Sequence, residues 1–266
     1  MIKEILIVLS VVLVVVIVAC GLWLGYYAVD SQHQKQTYET LAEDFLLEEP
    51  ESSLSLAEDD SSGESSTAGG TVVTLITAPP RHDLVALQDE NSDCVGWLTI
   101  PDTSVDYPVV WTPADPEHYL RRDFYGNSAS GGTPFLDGRN QPQAKGQNLI
   151  VYGHNMLDGS MFKPVLQYLT PNFQVTHEDI YLELNGTQYH YQVIAALETN
   201  TRSPVYTYTD LSVTAEMEDF HSMLLEETGL DAIPQAEGYL TLSTCNDQGG
   251  NSRVLVIAAL IEEVQR

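Results

Sequence analysis

The chain has 266 residues, of which 38 are Asp or Glu and 11 are Lys or Arg, giving a formal net charge of −27. A surface so acidic repels a phosphate backbone and excludes nucleic acid as a partner. Three cysteines (Cys20, Cys94 and Cys245) are too few for a disulfide framework. No HExxH or CxxC pairing offers a metal site, so neither a metal nor another cofactor is expected.

In chain order, residues 1–4 form a short stub and residues 5–29 ("ILIVLSVVLVVVIVACGLWLGYYAV") carry no charge. At ~1.5 Å per residue a helix of that length crosses the ~30 Å hydrocarbon core of a bilayer. Trp23, Tyr26 and Tyr27 gather where an aromatic belt would sit. The expectation is an uncleaved single-pass anchor with its N-terminus cytoplasmic, since Lys3 and the amino terminus precede it, and with the bulk of the chain outside. A cleaved signal peptide would have a shorter apolar core and a small-residue cleavage site. Residues 17–20 ("IVAC") resemble a lipobox in which Cys20 would be lipidated, but the apolar run continues well past it.

Residues 30–80 hold 11 acidic residues and a single basic one, Lys35, with the low-complexity run "SSLSLAEDDSSGESSTAGG" at 52–70. Too polar to bury a core, this segment reads as a solvated extracellular stalk, partly disordered. Tyr38, Leu41, Phe45 and Leu46 fall at helical spacing, which predicts a helix over 33–48.

From residue 81 to 266 short alternating runs predict a domain of eight strands, at 95–100, 106–110, 133–137, 148–153, 179–184, 188–197, 238–244 and 252–260. Asn185-Gly186 between two of them signals a tight hairpin. Helices are expected near 83–90, 116–122, 161–169 and 213–227, the last capped by Ser212 and closed by Gly229. Eight strands with few helices predict a mainly β fold, a closed or nearly closed barrel.

Cys245 ends an apolar strand and opens the polar loop "NDQGGNS", after which Arg253 begins the next strand. An antiparallel pair joined by that loop would bring thiol and guanidinium together, the first as a nucleophile and the second as a donor to an oxyanion. A buried free thiol with no chemistry, or a Cys94–Cys245 bridge, are the plainer readings of the same cysteine. Of seven histidines, His154 stands just beyond the apolar strand of "NLIVYGHNM", at the mouth of a barrel strand, where it is placed to be a general acid or base.

"TLSTC" followed by a strand-initial arginine, with "YGHNM" upstream, resembles the sortases, transpeptidases of Gram-positive cell surfaces. "NSDCVGWLTIPDTSVDYPVVW" (91–111), "HYLRRDFYGNSASGGTPFLDGRN" (118–140), "NLIVYGHNMLDGSMFKPVLQY" (148–168) and the helix at 213–227 resemble the class B branch. The resemblance covers roughly residues 84–262 and implies an eight-stranded sortase-like barrel. It also implies that Cys245 attacks the carbonyl of a threonine in a C-terminal sorting signal. His154 would then protonate the leaving amine and deprotonate the incoming one, and Arg253 would hold the tetrahedral oxyanion. Ser243, Thr244, Leu120 and Tyr206 or Tyr208 would contact the substrate. Pro116 stands where this family often has a substrate-contacting asparagine.

The implied partners are surface proteins bearing sorting signals, the amine of a peptidoglycan precursor or cross-bridge, and the membrane. A pilus-type enzyme joining subunits through lysine, a thiol peptidase resolved by water, and a non-catalytic tethered peptide-binding barrel are the alternatives.

Overall fold

The computed structural model describes residues 2–47, 78–246 and 250–264. Helix α1 (Ile2–Asp44) is one unbroken element of 43 residues. No glycine or proline lies between Val29 and Asp44, so the expected anchor and the expected helix at 33–48 merge. By length and composition α1 is long and apolar enough to cross a membrane, and its apolar window is bare of protein. The low-complexity run at 52–70 lies outside the described residues.

The later half of α1 packs on the barrel through Ser31, Gln34, Tyr38 and Leu41, all buried, at a spacing that keeps them on one helix face. Phe45 is partly buried against the same core, whereas Leu46 is exposed and makes a backbone bridge to His82.

Eight strands form the barrel: β1 (Cys94–Thr99), β2 (Asp106–Val110), β3 (Phe135–Leu136), β4 (Asn148–Tyr152), β5 (Asp179–Leu184), β6 (Thr187–Asn200), β7 (Tyr239–Cys245) and β8 (Ser252–Glu263). Their order around the closed barrel is β1-β2-β3-β4-β7-β8-β6-β5. β4 and β7 run parallel and β7 and β8 antiparallel. Asn185 and Gly186 take positive φ of 52° and 79° in the β5–β6 hairpin, the backbone a tight two-residue turn requires. β6 extends past the expected 188–197 because it pairs with β8 as far as Asn200, accommodating two register shifts.

β7 and β8 read as nearly continuous apolar runs because both of their faces are covered. Leu240, Leu242, Val254 and Val256 point into the barrel core with Trp97, Leu149 and Val151. The alternate residues Tyr239, Leu255 and Ile257 pack outward under Phe220 and Leu224 of helix α4 (Thr214–Thr228).

Helix α2 (Leu84–Glu90) is capped by Asp83, whose carboxylate accepts from the amides of Val85 and Ala86. The elements expected at 116–122 and 161–169 are 3-10 helices, His118–Arg121 and Lys163–Leu169. Two short helices were not expected: α3 (Pro171–Thr176) and a 3-10 turn, Pro204–Thr207. Ser212 does not cap α4. The N-cap position is Val213, without a side-chain bond, and the amide of Ser212 binds Asp210. Gly229, at φ 68°, closes the helix as expected. Cys94 and Cys245 are both free thiols, and Cys94 is buried in β1, so no bridge joins them.

Candidate active site

The ends of β4, β7 and β8 place the expected residues side by side. Cys245 and Arg253 are direct partners in the β7–β8 ladder. The parallel β4–β7 register reaches Tyr152↔Ser243, and the amide of Gly153 continues it by donating to Ser243 O at 3.1 Å. His154 follows, and the Asn155 side chain donates to Cys245 O at 3.2 Å. One bond on each side of His154 thus ties its neighbours to the strand that ends in Cys245.

His154, Cys245 and Arg253 line one cavity of ≈ 440 Å³, together with Leu120, Tyr206, Ser243 and Thr244. Tyr208 is not part of that lining. Its ring packs 5.8 Å from Phe220 in the outer core, because the turn at 204–207 directs the neighbouring tyrosine to the cavity and this one to α4. Tyr206 shares a 2.8 Å hydrogen bond with the Ser243 hydroxyl. Thr244 Oγ1 is buried and has no partner among the described residues.

The imidazole of His154 is held by a backbone atom. Nε2 lies 2.8 Å from Leu120 O, and since a carbonyl only accepts, Nε2 carries the proton. Nδ1 is left as the atom able to exchange protons with the cavity. Burial pushes the His154 pKa below the usual imidazole value. The hydrogen bond to Leu120 opposes that shift, and the positive charges of Arg121 and Arg253 add to it. At neutral pH the ring is therefore uncharged.

The backbone of Gly132 passes close behind Leu120 O. A Cβ on Gly132 would lie 2.6 Å from both Tyr119 O and Leu120 O, and its φ of +61° suits glycine. Gly153 is required for a related reason, since a Cβ there would fall 2.5 Å from the Phe162 ring.

Arg253 spends one nitrogen, Nη1, on the carbonyls of Gly250 and Ser252. Among the described residues it has no carboxylate partner, so its remaining donors are free for a ligand.

Residues that the sequence did not single out complete the wall, namely Glu117, Phe135, Asp137, Arg139 and Tyr152, and Pro116 lines it with them. Asp137 accepts from Arg139 Nε at 2.9 Å, from Arg139 Nη2 at 2.7 Å and from the Tyr152 hydroxyl at 2.8 Å. Burial alone would raise the Asp137 pKa, but these bonds outweigh it and hold the carboxyl below the usual range. The Tyr152 ring bridges Phe135 and Tyr206, with centroids 5.3 and 6.1 Å away. The position of Tyr152, two residues before His154, was the available signal, since residues two apart on a strand share a face.

The cavity thus gathers a thiol, an imidazole and a guanidinium that has no carboxylate partner among the described residues, at the ends of three strands of a closed β-barrel. Residues 98–261 match the sortase domain family model. Sortase B of Listeria monocytogenes is 35% identical over 178 residues, spanning 66% of this chain and 72% of the relative. Sortase B of Staphylococcus aureus is 25% identical over 269 residues, 98% of each chain. Among solved structures, a Staphylococcus aureus sortase B–substrate complex superposes with a TM-score of 0.60 at 29% identity, over 67% of this chain and 84% of that one. Bacillus anthracis sortase B in complex with AAEK1 gives 0.58 at 30% identity, over 66% and 83%. The chain belongs to the sortase family, in its class B branch, and is a cysteine transpeptidase.

Proposed function

We propose that this sortase is anchored through α1 and cleaves a C-terminal sorting signal after threonine. It then transfers the acyl group to an amine of peptidoglycan. Its substrates as a family member are surface proteins bearing sorting signals. The observation that carries the residue roles is the shared cavity of Cys245, His154 and Arg253.

The lowered pKa of His154 favours its neutral imidazole, which is the proton acceptor in this reading. As Sγ of Cys245 attacks the threonine carbonyl, its proton passes to Nδ1 of His154. Charge then gathers on the carbonyl oxygen, where the donors of Arg253 that no described residue engages are available. Collapse of the tetrahedral species breaks the C–N bond, and the proton on Nδ1 leaves with the amine. The thioester remains on Cys245. An incoming amine reverses these steps, giving up a proton to Nδ1 as it attacks and so restoring the thiol. Asn155 and the Gly153 amide keep the two reacting side chains on one rigid frame, which is where most of a two-substrate acceleration arises.

Intact-mass analysis with Pro-x-Thr-containing sorting peptides tests the reading. An adduct equal to the peptide through its threonine, absent in Cys245→Ala and discharged by an added amine, is the expected result. Discharge by a peptidoglycan cross-bridge amine in preference to a pilin lysine supports the cell-wall reading. Water discharging the adduct as fast as any amine would overturn the transpeptidation.

A further inference from the structure

The barrel domain meets α1 at the end of the helix's apolar run, not beyond it. Tyr27, still inside the uncharged segment, packs against the buried core and stacks with Trp23 at 6.0 Å. Asp30 accepts from the amide and hydroxyl of Ser130, and the Ser31 hydroxyl bonds Asp158. These contacts lie one or two residues past Val29, only ~1.5–3 Å further along the helix axis. The headgroup layer is itself about 5–7 Å deep on each side of the hydrocarbon. Segments 129–131 and 156–160 therefore sit at headgroup depth wherever α1 crosses a bilayer.

In that layer stands Leu157, 83% exposed, the most exposed large apolar side chain among the described residues. Arg121, also exposed, donates to Ser130 O on the same rim. The nearby carboxylates are engaged by hydroxyls of the protein itself, Asp158 by Ser31 and Ser160 and Asp30 by Ser130. We propose that the 155–160 loop docks on the bilayer that α1 enters, Leu157 reaching the acyl boundary and Arg121 meeting lipid phosphate. The loop that follows His154 is thereby held between helix and membrane, and the barrel has a fixed attitude to the surface. The proposal rests on the reading of α1 as a membrane span.

Spin labels on the full chain in phosphatidylglycerol-containing vesicles test it, in a Cys20→Ser/Cys245→Ser background that leaves only the buried Cys94. Labels go at Leu157→Cys, at Val14→Cys within the apolar run, and at Val85→Cys. Val85 is 72% exposed and follows His82, which bridges Leu46 at the far end of the packed half of α1, roughly 20 Å from Asp30 at ~1.5 Å per residue. Docking is supported if positions 157 and 14 both collide more with oxygen than with a water-soluble nickel chelate while position 85 does the reverse. It is further supported if Arg121→Glu cuts the preference at 157 severalfold; an unchanged preference removes Arg121 from the surface. Water-like values at both 157 and 85, with 14 in lipid, overturn docking and leave the anchor intact. Water-like values at 14 overturn the anchor and docking together.

Discussion

Gly132 offers the sharpest test of how the imidazole is positioned. Gly132→Ala has to hold an L side chain at φ +61°, a left-handed backbone that costs about 1–2 kcal/mol. Its Cβ also meets two backbone carbonyls at 2.6 Å, which cannot rotate aside, and such overpacking costs a further ~1–3 kcal/mol. Gly126→Ala is the control, because Gly126 has φ +82° but nothing within 4 Å of the added atom, so it carries only the first cost. For a protein of this size each kcal/mol lowers Tm by roughly 2–4 °C. Thermal melts of the full chain in detergent should show losses of about 4–20 °C for Gly132→Ala against about 2–8 °C for Gly126→Ala. Turnover separates them further. One of the crowded carbonyls is Leu120 O, the partner of His154 Nε2, and a shift of part of an ångström in a catalytic group is worth on the order of tenfold in rate. Gly126→Ala should leave peptide acyl transfer unchanged. Equal losses of stability and turnover in the two variants would refute the role given to the Leu120 carbonyl.

Because burial and two arginines depress the His154 pKa, the acid limb of the pH–rate profile should fall below the ordinary imidazole midpoint near 6.5. Arg121→Gln should raise that midpoint, since it removes a charge that opposes protonation. Tyr38→Phe deletes a buried hydroxyl that donates to Gly132 O at 2.8 Å and should cost about 1 kcal/mol in denaturant unfolding. Brief alkylation followed by peptide mapping should modify Cys245 and spare Cys94, which is 1% exposed and whose thiol burial pushes up to about 12. Gly153→Ala should lower both Tm and turnover, and adding Phe162→Leu should restore part of each, because the obstructing atoms belong to that ring.

The strands were legible because turn residues separate them and because most alternate or run apolar. Asp106–Val110 and Asp179–Leu184 coincide with the expected bounds. The short elements at Pro171 and Pro204 were missed although each has proline at its first helical turn behind a Thr or Ser, a start signal too brief to carry periodicity. Tyr38 and Leu41 announced one face of α1, but the polar contacts of Ser31 and Gln34 leave no hydrophobic pattern. Cys245 and Arg253 could be paired because a short loop joins antiparallel neighbours. The partner of His154 could not be read at all, since it is a backbone oxygen and the side chain of Leu120 says nothing about it. The choice between Tyr206 and Tyr208 turned on a 3-10 turn that two tyrosines at spacing 2 do not reveal.

β3 contributes only Phe135 and Leu136 to the barrel, and it meets β2 at the one pair Val110↔Phe135. Its seam with β4 has two pairs, and each of the remaining seams has four or more. The cylinder therefore has a narrow hem on the side where Phe135, Asp137 and Arg139 face the groove. Amide exchange should start there, ahead of β4, β7 and β8, because so few ladder bonds must part. A bulky peptide side chain can widen the groove by easing that hem while the three strands bearing Cys245, His154 and Arg253 keep their register.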